Sequence, residues 1–80
     1  MQIDLFKQAT VWTLPGCRGC EKVKKLLIDN GYELDIKDVT NREYIKELRA
    51  FTMASTVPQV AINGRFIGSI RQVEEYLNRK

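Results

Sequence analysis

One junction constrains this chain more than any other stretch. Ala9-Thr10-Val11-Trp12-Thr13, rich in β-branched and aromatic residues, runs into Leu14-Pro15-Gly16 and then into Cys17-Arg18-Gly19-Cys20. The first run favours a strand, Pro-Gly breaks it and a helix follows, so the chain hands over from strand to helix at its only two cysteines. Their spacing lets one helical turn bring both sulfurs together, as reversible dithiol–disulfide chemistry requires. A thiol at the start of that helix meets backbone N–H groups that lack intrahelical partners. It also meets the positive end of the helix dipole, and both favour thiolate. On this reading Cys17 is the nucleophile and Cys20 the resolving thiol.

Other uses of a cysteine pair fit less well. As a structural staple, closing so short a loop contributes only about 2 kcal/mol before ring strain is subtracted. A closed zinc site normally needs four protein ligands, and this chain has two cysteines and no histidine. A cysteine hydrolase needs a base beside its sulfur, usually histidine, so the same absence argues against it. Redox chemistry remains.

Eighty residues make one small domain, spanning 1–80, too short to add a separate cofactor domain. Any flavin or nicotinamide then resides on a partner. No apolar run approaches membrane-spanning length, and Met1-Gln2-Ile3-Asp4-Leu5-Phe6-Lys7 lacks the basic-then-apolar pattern of a signal peptide. The expectation is a cytoplasmic location, where a dithiol is more often catalytic than structural. The net charge of +3 is mild and its basic residues are scattered among acids, so neither a nucleic acid nor a membrane is expected as partner. Lys22, Lys24 and Lys25 form the densest basic cluster. They read either as a solvated helix face or, with Arg18, as a field that holds Cys17 as thiolate and attracts acidic partners.

Beyond the cysteines, strand and helix alternate. Glu21 to Asn30 carries Val23, Leu26 and Leu27 on one face and lysines on the other, with Asn30-Gly31 as a stop. Tyr32 to Val39 reads as a second strand bearing Leu34, Ile36 and Val39. Thr40 or Asn41 is an N-cap for a helix reaching about Ala50, with Tyr44, Ile45 and Leu48 as its apolar stripe. Gln59-Val60-Ala61-Ile62, Asn63-Gly64 and Arg65-Phe66-Ile67 predict a hairpin, because Asn-Gly accepts the positive φ angles of a two-residue turn. Ile70 to Asn78 closes the chain as a helix packing Ile70, Val73 and Leu77. The order is βαβαββα in one α/β domain.

Thr56-Val57-Pro58 directly precedes the third strand. A proline there is most simply trans, marking the strand's start, since it cannot donate a ladder hydrogen bond. A cis bond would instead turn the Val57 backbone outward to pair with an extended cysteine-containing ligand. The residues alone leave both open.

Taken together, Val11-Trp12-Thr13 with the Cys17/Cys20 pair, Thr56-Val57-Pro58-Gln59-Val60, and Asn63-Gly64-Arg65-Phe66-Ile67-Gly68-Ser69 resemble a glutaredoxin over nearly the whole chain. The resemblance implies a thioredoxin fold, with a four-stranded mixed sheet flanked by three helices and a cis Pro58 beside the dithiol. It implies reduction of disulfides with electrons from glutathione, a co-substrate, with no tightly bound cofactor. Beyond the two cysteines, the implied substrate or glutathione site comprises Arg18, Thr56, Val57, Pro58, Gly68, Ser69, Ile70 and Arg71. The implied partners of a monomer are glutathione or thioredoxin reductase as electron source, and disulfide-bearing proteins such as ribonucleotide reductase as target.

The departures cluster where glutathione would sit. Glutaredoxins commonly carry lysine three residues before the first cysteine, Pro-Tyr between the cysteines and Gly-Gly-x-Asp-Asp after the hairpin. Here those places hold Leu14, Arg18-Gly19 and Gly68-Ser69-Ile70-Arg71-Gln72. Arg71 reverses a charge used near the glutamyl amine, which makes that contact repulsive. Main-chain groups at Val57, Ser69 and Ile70 could still hold a peptide and a carboxylate. An arginine in this region is similar to the NrdH-redoxins, which take electrons from thioredoxin reductase. A third reading, of another class, is a glutathione-ligated iron–sulfur cluster shared by two protomers. Proline after the first cysteine tends to oppose such a cluster, and Arg18 replaces it.

Overall fold

A computed structural model of the chain describes residues 7–52 and 56–78. The reading of the first residues as lacking a signal peptide falls almost wholly outside them. The elements are β1 (Gln8–Thr13), α1 (Arg18–Asp29), β2 (Glu33–Asp38), α2 (Arg42–Thr52), β3 (Gln59–Ile62), β4 (Arg65–Gly68) and α3 (Ile70–Asn78). The order matches the expected βαβαββα. The sheet runs β2-β1-β3-β4, with β1 parallel to β2 and antiparallel to β3, and β3 antiparallel to β4.

Strand periodicity divides the core into two layers. Ala9 and Val11 of β1 face Val23 and Leu27 of α1 and Val73 of α3, together with Val60, Ile62 and Tyr32. Trp12 points to the other side and meets Leu48 of α2 and Ala61. The sheet is thus a middle layer with α1 and α3 on one face and α2 on the other. Every residue of the central strand β3 is buried.

Helix α1 ends by pairing its last carbonyls with the following turn. Gly31 N–H donates to the Ile28 carbonyl at 2.9 Å and Tyr32 N–H to that of Leu27 at 3.0 Å, a Schellman arrangement. Tyr32 therefore belongs to the helix cap, and its ring joins Leu27 in the core. Strand β2 is shorter than its apolar pattern suggests, and Ile36 is 42% exposed because β2 lies at the sheet edge.

Between the two cap candidates for α2, Asn41 takes the role: its Oδ1 accepts the Glu43 N–H at 2.9 Å. Thr40 turns back instead, its N–H and hydroxyl both donating to Asp38 Oδ1. Those two bonds hold the Asp38 carboxyl below its ordinary pKa. Helix α2 is tied to β2 by the Lys37–Glu47 ion pair at 2.9 Å. Toward its C-terminal end Phe51 meets the rings of Trp12 and Phe66, each with centroids 5.9 Å apart, and an open cleft of about 450 Å³ beside them is lined by Trp12, Phe51 and Ala61 among others; neither cysteine lines it.

The hairpin turns as predicted, with φ of +50° at Asn63 and +84° at Gly64. One feature was not legible beforehand. Val60 pairs with Gly68 while Ala61 pairs with Phe66, so Ile67 is an extra residue bulging from β4. The bulge brings Gly68 into the strand, which ends one residue later than its apolar pattern indicates.

Candidate active site

Three chain segments meet at one edge of the sheet. Strand β1 ends there and delivers Cys17. Strand β3 begins there, since Gln59 pairs with Trp12, so Pro58 lies beside the end of β1. Strand β4, antiparallel to β3, ends at the same edge and delivers Gly68 to Arg71.

Cys17 is the N-cap of α1, extended at φ −88° and ψ 112°, and its Sγ accepts the backbone N–H of Cys20 at 3.1 Å. The helix begins at Arg18, three residues earlier than its apolar periodicity alone suggests, because the cap and not the stripe sets the start. An N–H aimed at sulfur stabilises the negative charge that Cys17 carries before it attacks and regains when it departs. Both cysteines are free thiols, and their surroundings differ. Cys17 is partly exposed, whereas Cys20 is fully buried. Burial, with the hydrogen bond to Cys17, pushes the Cys20 thiol above its ordinary pKa, against the smaller opposing effects of Thr13 and the Leu14 backbone. The outer sulfur can reach a substrate; the inner one is shielded.

The basic cluster resolves into two parts. Lys24 pairs with Glu21 at 2.9 Å and Lys25 with Asp29 at 3.4 Å, both along the helix surface. These two are a solvated face. Arg18 and Lys22 are exposed and, among the described residues, make no ion pair.

Val57–Pro58 is a cis peptide, as the resemblance implied. A Cβ built on Gly19 would stand 3.4 Å from Pro58 Cδ, so the proline ring lies against the residue between the cysteines. Gln59, buried, donates its Nε2 to Thr56 Oγ1 at 3.1 Å and braces the loop from within. Val57 packs against the cluster of Trp12, Leu48 and Ala61.

At the start of α3, Ser69 N–H and Oγ both donate to Gln72 Oε1, at 3.1 and 2.6 Å. The Ser-x-x-Gln spacing is a capping signature readable in the sequence. The Ser69 N–H, expected to be open to a carboxylate, already has an acceptor. The amides of Ile70, Arg71 and Gln72, in the first helical turn, are those left without intrahelical partners, the first such bond being Val73 N–H to the Ser69 carbonyl. Gly68 has φ +130°, and a Cβ there would come within 3.0 Å of Gln72, so glycine is required for this fold-back. Arg71 is exposed.

Residues 9–67 match the family model described as Glutaredoxin. The match stops just before the Gly68–Arg71 segment. Among curated proteins, the chain is 37% identical over 75 residues to the hybrid peroxiredoxin hyPrx5 of Haemophilus influenzae, covering 94% of this chain but 31% of that protein. It is 36% identical over 73 residues to Glutaredoxin-C11 of Arabidopsis thaliana, covering 84% of this chain and 70% of that one. Among solved structures, the buckwheat glutaredoxin–glutathione complex superposes with a TM-score of 0.77 at 26% identity, over 91% of this chain and 70% of that one. The chain thus spans about a third of the Haemophilus protein.

Proposed function

Because the chain belongs to the glutaredoxin family, we propose that it is a glutathione-dependent oxidoreductase that reduces protein disulfides and glutathione mixed disulfides through Cys17 and Cys20. The observation that carries this reading is Cys17 at the cap of α1, its Sγ on the Cys20 N–H, beside Pro58. Cys17 thiolate attacks one sulfur of the substrate disulfide and displaces the other as thiolate. A mixed disulfide results. Either Cys20 attacks Cys17 Sγ, releasing the substrate thiol and closing the Cys17–Cys20 disulfide, or, where the mixed disulfide is with glutathione, a second glutathione thiolate attacks the glutathione sulfur, forming oxidised glutathione and freeing Cys17. Thr56, Val57 and Pro58 form the pairing edge for the substrate peptide, and Gly68, Ser69, Ile70, Arg71 and Arg18 line the far side. No tightly bound cofactor takes part, and the setting is cytoplasmic; no helix among the described residues is long and apolar enough to cross a membrane.

A second reading concerns the electron source. Arg71 stands where an acid is expected and Gln72 takes the Ser69 N–H, two departures on the glutathione side. They favour direct reduction by thioredoxin reductase, as in the NrdH-redoxins. The target would be a disulfide enzyme such as ribonucleotide reductase. The Haemophilus relative, a hybrid peroxiredoxin by name, adds a peroxiredoxin as a further target. NADPH consumption separates the sources: glutathione with glutathione reductase sustains turnover on the first reading, thioredoxin reductase alone on the second. Cys17→Ser abolishes both, whereas Cys20→Ser spares glutathione-only reactions. A brown protein absorbing in the visible on anaerobic purification would instead favour the cluster carrier.

A further inference from the structure

The charges around the dithiol are one-sided. Toward β2, the carboxylates are those of Glu21 and Asp38; Glu21 is paired with Lys24, and Lys24 also acts on Asp38. Toward α3, the groove between α1 and α3 is lined by Lys22, Lys25, Asp29 and Glu74, of which Lys25 and Asp29 pair with each other. Ile70 lines that same groove, placing the start of α3 beside Lys22. Arg18 follows Cys17 directly in the first turn of α1, and Arg71 follows Ile70 in the first turn of α3. The first turn of α3 contains no acid, and Ser69, Thr56, Val57, Pro58, Leu14 and Pro15 are uncharged. Arg18, Lys22 and Arg71 are exposed and make no ion pair among the described residues.

We propose that this face, bounded by Arg18, Lys22 and Arg71, docks a protein segment in which the target disulfide is flanked by acidic residues. The inference rests on the thiol-exchange reading and adds the substrate class. Three exposed cations without ion-pair partners among the described residues, on the helix starts that flank a partly exposed nucleophile, raise the local concentration of anionic segments, so the preference appears in kcat/KM and fades with salt. The segment's disulfide is reduced to two thiols. Cys17 and Cys20 supply the two electrons and two protons and end joined as a disulfide.

The test uses the whole chain and three synthetic peptides with the same internal disulfide, flanked by glutamates, by serines or by lysines, with hydroxyethyl disulfide as a small neutral substrate. Pre-reduced protein is mixed with each, and the loss of Cys17 and Cys20 thiols is followed by alkylation and mass spectrometry. The glutamate peptide is expected to react about tenfold faster than the lysine peptide at low salt. The ratio should fall toward one at about 0.5 M NaCl, where screening acts within a few ångströms. In Lys22→Glu/Arg71→Glu the ratio should fall below one. Equal rates for the three peptides, a ratio indifferent to salt, or a charge-reversed variant that keeps the wild-type ratio would overturn the docking proposal. So would reduction of hydroxyethyl disulfide without reduction of any peptide. If no substrate reacts, the thiol-exchange reading itself fails. Because each ratio is taken within one protein, a variant that folds poorly lowers both rates together, and the wild-type measurements decide.

Discussion

At the scale of residues, the chemistry depends on two identical side chains in unlike places. Cys17 is partly exposed with an N–H on its sulfur, and Cys20 is fully buried with its pKa raised. Iodoacetamide at neutral pH is therefore expected to modify Cys17 first, as read by peptide mass mapping; preferential labelling of Cys20 would reverse the roles. The raised Cys20 pKa also carries a sign for stability. The unfolded thiol ionises first as pH rises past about 8.5, so the contribution of neutral Cys20 is complete below that pH. It is lost as pH climbs through the higher folded value. Melting temperatures between neutral and strongly alkaline pH should fall more for the reduced wild type than for Cys20→Ala, and parallel curves would remove this account.

Among the elements, α2 is held by less than α1. Leu48 is its only fully buried residue, whereas α1 buries Cys20, Val23 and Leu27. Leu48→Ala should cost about 2–5 kcal/mol, measured by urea unfolding, and should loosen the α2 face while α1 and α3 keep their packing. Amide exchange checks this directly: faster exchange is expected in α2 than in α1. A uniform increase across the chain would mean that α2 unfolds only with the whole domain. The strong elements are those whose ends were written locally. The Asn63-Gly64 turn, the Asn41 cap and the stop at Asn30-Gly31 were legible because each depends on a few adjacent residues. Less local were the Ile67 bulge and the exposure of Ile36, which depend on strand pairing and on position in the sheet.

For the whole molecule, the active edge exists because three strand ends coincide there, and choice of electron donor is a property of that assembled surface. If Leu14 and Arg71 set it, Leu14→Lys with Arg71→Asp should raise kcat/KM for glutathione-dependent turnover severalfold, since each restores an opposite-charge contact of surface strength. Unchanged turnover in the coupled assay would mean that glutathione is held by main-chain groups alone. How much of this was legible follows from the range of each interaction. The strand-break-helix junction and the Cys17/Cys20 spacing determined by themselves that a dithiol would sit at a helix start, and the alternation of apolar patterns determined the element order. Both are short-range, set by backbone conformation and by the period of side chains along one segment. Only the tertiary structure decided how completely Cys20 would be buried while Cys17 stays reachable, and that the Pro58 ring would lie against Gly19. Burial and contact between segments separated by dozens of residues depend on how the layers close, which no single stretch of the chain encodes.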